Sequence, residues 1–126
     1  MVDMKLELVP VPVSDVGRAK AFYERMGFGN VHDTQVSDTM RVVQLTPPGS
    51  SCAIVFGTGM GEITEMKPGS VKGLHLVVAD IEKARDELVG RGVPASEVFD
   101  VGGVKYASVN DPDGNLWLLQ QWPPKA

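Results

Sequence analysis

A single cysteine, Cys52, occurs among the 126 residues. That excludes an intramolecular disulfide framework and leaves a metal–thiolate cluster without partners. Charge of one sign is equally scarce: 12 basic and 16 acidic residues give a net charge of −4, and no basic run stands out. A nucleic-acid groove needs clustered Lys and Arg to replace phosphate counterions, so nucleic acid is not an expected partner. No apolar stretch approaches the roughly 20 residues of a membrane span, which sets membrane insertion aside. The start, Met1-Val2-Asp3-Met4-Lys5, shows no charged segment followed by an apolar one. No secretory signal is read there, and a cytoplasmic location is expected. Glycine and proline, by contrast, are plentiful: 14 and 9 of them punctuate the chain, which predicts many short elements. At 13.5 kDa and 43% hydrophobic residues, residues 1–126 suit one domain with a core that needs no staples.

The chain repeats itself once. Val13-Ser14-Asp15 falls on Val78-Ala79-Asp80, 65 residues further on, and the same offset carries Ala19 onto Ala84 and Gly27 onto Gly92. It also carries Val9, Val11 and Val13 onto Leu74, Leu76 and Val78. Each copy reads as an alternating strand, an Asp that can cap the orphan amides of a first turn, an amphipathic helix and a glycine stop. The spacing of Val16, Ala19, Phe22, Tyr23 and Met26, and of Ile81, Ala84 and Leu88, predicts helices over about 15–26 and 80–91. Strands are expected at Val31–Val36, Met40–Thr46 and Ala53–Phe56, then at Val98–Val101, Lys105–Val109 and Leu116–Gln121. The predicted unit is βαβββ, present twice: module 1 at about 5–57, a glycine-rich linker at 57–72, and module 2 at about 73–122.

The paired units, Val13-Ser14-Asp15 with Ala21-Phe22-Tyr23 and Met26-Gly27-Phe28, and Asp111-Pro112-Asp113-Gly114-Asn115 before a final strand, occur together. On these residues the sequence resembles the vicinal oxygen chelate superfamily of glyoxalase I, extradiol dioxygenases, and the bleomycin- and fosfomycin-resistance proteins, over roughly residues 5–122. The resemblance implies an α+β fold in which two βαβββ modules form curled mixed sheets around a concave small-molecule cavity. It also implies, for metal-dependent members, a ligand on the first and last strand of each module. Those positions match Leu8, Val55, Gly73 and Leu118, none of which can ligate a cation through its side chain. No cofactor is therefore expected, and a divalent metal would require a different alignment of these positions.

Strand alternation assigns Val9, Val11, Val13, Leu74, Leu76 and Val78 to the face under the helices. Leu8, Pro10 and Pro12, with Ala53 and Val55, then face the cavity beside Gly73, His75, Val77, Leu118 and Gln120. His75 suits a general base, a donor to a ligand carbonyl, a ligand of a displaced metal site, or a histidine simply hydrogen-bonded to backbone or to Gln120. Gln120 offers both donor and acceptor. Arg41 and Gln44 lie on opposite faces of one strand, and one of them should approach the pocket mouth. Tyr106 is either a stacking surface for a planar ligand or an exposed strand tyrosine. Trp117 is expected on the helix-bearing face, packed against the second helix. Trp122, beside Pro123 and Pro124, suits a subunit contact or a pocket entrance. Cys52 is expected as a small core residue, and His32 with Asp33 as surface.

Three functions are carried forward. The first is a bleomycin-resistance-like protein that binds a small, partly planar molecule without the usual metal site. The second is a metal-dependent lyase, isomerase or dioxygenase of the same superfamily, and the third a non-catalytic interaction or sensor domain. The resemblance also implies a homodimer, with the modules paired either within one chain or between two.

Overall fold

The computed structural model describes residues 1–123; Pro124 lies outside them. Strand β1 (Leu8–Pro10), helix α1 (Val16–Arg25) and strands β2 (Gly29–Gln35), β3 (Arg41–Thr46) and β4 (Ala53–Thr58) form the first βαβββ unit. A short helix α2 (Glu62–Glu65) sits in the connector. The second unit comprises β5 (Lys72–Val78), α3 (Ile81–Gly90), β6 (Phe99–Val101), β7 (Val104–Asn110) and β8 (Leu116–Gln121). Each unit makes one four-stranded mixed sheet, in the equivalent orders β1-β4-β3-β2 and β5-β8-β7-β6. In each, the first strand runs parallel to the last and the remaining pairs are antiparallel.

The helices begin and end where their chemistry directs. Asp15 accepts from the Arg18 amide at 3.0 Å, and Asp80 from the Lys83 amide at 3.1 Å. These bonds satisfy first-turn donors that have no partner within the helix. After α1, Gly27 takes φ +98°, and the Phe28 amide returns to the Tyr23 carbonyl at 3.0 Å. Gly92 repeats this after α3 at φ +82°, with the Val93 amide on the Leu88 carbonyl at 2.9 Å. A left-handed residue there costs glycine little and closes the last turn.

The packing joins the units through their helix-bearing faces. Ala19, Phe22, Tyr23 and Met26 of α1 meet Val43, Leu45, Ile54 and Phe56 of the first sheet in the same cluster that holds Ile81, Leu88, Val93, Ala107, Val109, Trp117 and Leu119 of the second. The Trp117 ring packs on Tyr23 and Phe28, with ring centres 5.7 and 5.6 Å apart. Trp117, on the helix-bearing face as expected, thus packs on the end of α1 and on Phe28 beyond it, across the two modules. Polar bonds follow the same seam. Tyr23 Oη donates to Asp111 Oδ2 at 2.7 Å and accepts from Trp117 Nε1 at 3.0 Å. Asn115 Nδ2 donates to the Pro12 carbonyl and to Asp111 Oδ2, both at 2.8 Å. Burial, and next the Asp111 carboxylate, push the Tyr23 phenol far above its ordinary range, so it stays a donor.

The seam bears on how the modules pair, which the sequence left open. The two sheets do not close on each other around a cavity within the chain. With both helix-bearing faces turned into one core, the opposite face of the second sheet leaves His75 and Val77 exposed, whereas Ala53 and Val55 on that of the first are buried.

Candidate functional site

On the open face of the second sheet, strand register sets His75 beside Leu118, Val77 beside Gln120, Ser108 beside Leu118, and Tyr106 beside both Gln120 and Phe99. Five of the residues expected to face a ligand are therefore neighbours or near neighbours here: Gly73, His75, Tyr106, Leu118 and Gln120. The face is apolar and wet. Val77 is 62% exposed, Phe99 42% and Val101 59%, and Trp122, two residues beyond Gln120, is 54% exposed. Rings run across it. His75 stands edge-on to Tyr106 (centres 6.0 Å apart, planes at 82°), and Tyr106 lies against Phe99 (5.9 Å, 25°). His75 Nδ1 is 2.6 Å from the Gly73 carbonyl oxygen, the backbone partner that its plainest reading allowed.

On the first sheet, Leu8 pairs with Ala53, Pro10 with Val55, and Val55 with Gln44, so these share the face opposite the helix-bearing one. Gln44, not Arg41, is the polar residue there. Arg41 alternates onto the helix-bearing side. Its Nε and Nη2 grip the Asp33 carboxylate at 2.9 and 2.7 Å, and Lys20 of α1 adds a third bond at 2.9 Å. Hydrogen bonds from Arg41, then Lys20, hold the Asp33 carboxyl well below the usual carboxylate range.

Leu8 and Val55 on one sheet, and Gly73 and Leu118 on the other, the positions that the resemblance matches to metal ligands, carry no donor side chain. Among the described residues no group of three or more His, Cys, Asp or Glu comes together.

A cleft of about 690 Å³ lies elsewhere, along the free edge of β5. Met26–Phe28 at the end of α1, the Pro47–Ser50 turn, and Ala84, Leu88, Glu87 and Arg91 of α3 line it. Arg91 Nη2 bonds Glu87 Oε1 at 2.8 Å on its wall. Of the residues expected to face a cavity, His75 and Val77 border this one. Sequence reasoning also missed Phe99. Val98-Phe99-Asp100-Val101 offers apolar residues in both strand phases, so alternation could not select it.

Comparison with known proteins agrees with this geometry. The profile of the Glyoxalase/Bleomycin resistance protein/Dioxygenase superfamily matches residues 5–119. Among solved structures, TnmS3, an antibiotic binding protein from Streptomyces sp. CB03234, is 32% identical, with a TM-score of 0.82 and 99% of each chain covered. A glyoxalase/bleomycin resistance protein from the same organism is 34% identical (TM-score 0.76; 93% of this chain and 100% of that one). A superfamily member from Sphaerobacter thermophilus DSM 20745 is 30% identical (TM-score 0.80; 94% and 98%). No curated protein matches. Two βαβββ units with equivalent strand orders, matched over nearly the whole chain, establish that the protein belongs to the glyoxalase/bleomycin resistance protein/dioxygenase superfamily.

Proposed function

We propose that this protein binds a small, partly planar organic molecule of the antibiotic type on the open face of its second sheet, without a metal ion, as a cytoplasmic homodimer. The observation that carries this reading is the exposed row His75–Tyr106–Phe99, with Val77 and Leu118 beside it and Gln120 and Ser108 as polar groups. A mostly apolar surface with a few directed polar groups is how small-molecule sites are built. The likeness to an antibiotic binding protein over the full chain supports the ligand class. A second copy is supported by what one chain leaves uncovered. The exposed apolar face of the second sheet, and the seven-residue edge strand β5 without a proline, are surfaces that soluble proteins usually cover.

The test is a thermal-shift panel of antibiotics and planar metabolites, run with and without divalent metals, beside light scattering on a sizing column. A planar ligand should raise the melting temperature regardless of metal, His75→Ala and Gln120→Ala should shrink the shift, and the mass should be that of two chains. Stoichiometric metal in protein purified without chelators would instead favour a lyase, isomerase or dioxygenase. No shift with any compound would favour a sensor or interaction domain.

A further inference from the structure

Resting on that reading of the open face, we propose that His75 selects the hydrogen-bonding sense of the ligand: it accepts from an aromatic hydroxyl rather than donating to a carbonyl. At Gly73 the backbone takes φ +91°, and the β5–β8 register slips between Lys72 and Leu74. Such a bulge interrupts the ladder and re-aims the groups beside it. Here the Gly73 carbonyl oxygen meets His75 Nδ1 at 2.6 Å. A carbonyl oxygen has lone pairs and no proton, so the proton of this bond sits on Nδ1. In the neutral imidazole Nε2 then carries a lone pair and no hydrogen. Nε2 has no hydrogen-bond partner among the described residues, and the ring projects from an exposed position on the ligand face.

The surroundings set the rest of the ligand's chemistry. Tyr106 and Phe99 continue the row from His75, so a polycyclic aromatic lying on them brings the substituents at its rim to the imidazole. A rim hydroxyl supplies the proton that Nε2 lacks. A methoxyl or a carbonyl at the same place sets acceptor against acceptor and leaves both unpaired, which costs more than a hydrogen bond merely forgone. The left-handed glycine at the vacated ligand position is what fixes this polarity, through the orientation of its carbonyl.

The experiment compares 9-phenanthrol, 9-methoxyphenanthrene and phenanthrene, titrated by their fluorescence into the wild type and into His75→Phe. All titrations are run at one pH, about 7.5, between the ordinary imidazole and phenol ranges. Phenylalanine keeps a ring in the row and removes the acceptor, and the exposed position leaves the core untouched. The wild type should bind the phenol about tenfold more tightly than the methyl ether, the effect of one good hydrogen bond, and His75→Phe should bind the two alike. Equal affinities in the wild type, or a preference that survives in His75→Phe, would overturn the proposal while leaving the planar-ligand reading intact. Failure of all three compounds to bind the wild type would overturn that reading and this inference with it.

Discussion

Asp33 sits in a polar stretch that reads as plain surface, yet it holds Arg41 and Lys20 in one cluster. That cluster decides two things. Arg41, so engaged on the helix-bearing side, is not directed at the open face, and an anionic ligand there would have to do without it. The carboxyl is also held below its ordinary range in the folded state. A depressed carboxyl stabilises the fold above the unfolded value of about 3.9, and that contribution is lost as pH falls through this value toward the folded one. The melting temperature of Asp33→Asn should therefore lie below wild type at neutral pH and converge with it below about pH 4. Added salt should narrow the neutral gap, because the pairs are near solvent. Curves that run parallel through the acid range would show that the cluster does not couple to folding.

At the scale of elements, both long helices are set by local chemistry and behave alike. Asp80→Ala removes the acceptor for the Lys83 amide and should cost about 1 kcal/mol, read as a lower urea midpoint with an unchanged slope. Asp80→Asn should recover most of it, since the amide oxygen caps as well as a carboxylate. If alanine and asparagine behave identically, the cap is not what starts α3. The edge strands differ. β1 carries Pro10 on the edge of its sheet, where a missing amide proton breaks no ladder and discourages further pairing. β5 has no such guard, and its slip at Gly73 both shapes the candidate site and leaves the strand edge facing the cleft.

For the whole molecule, the seam between modules is the deciding feature. Tyr23, Asp111, Asn115 and Trp117 bond to one another across it, and Asn115 reaches the Pro12 carbonyl. Among the described residues no buried side-chain polar atom is without a partner. Tyr23→Phe keeps the ring packing but strands the Trp117 N–H and removes a donor to a buried carboxylate. The expected cost is about 1–3 kcal/mol, again as a lower urea midpoint. An unchanged midpoint would mean that ring packing alone holds the modules together. The seam uses the helix-bearing faces for cohesion.

The sequence by itself determined the two βαβββ units with their caps and stops, and the residue types at the positions that the resemblance matches to metal ligands. Those signals are local: a carboxylate before an apolar helix, a glycine after it, a side-chain type at a counted place. It also placed His75, Leu118 and Gln120 on one face, because strand alternation is a local rule. It could not say how the modules meet. The bond from Trp117 to Tyr23 joins residues 94 positions apart along the chain. Nor could it turn Arg41 away from the ligand face, join Phe99 to Tyr106, or put the proton on His75 Nδ1. Each of these depends on register or on a bond between backbone and side chain that exists only once the chain is folded.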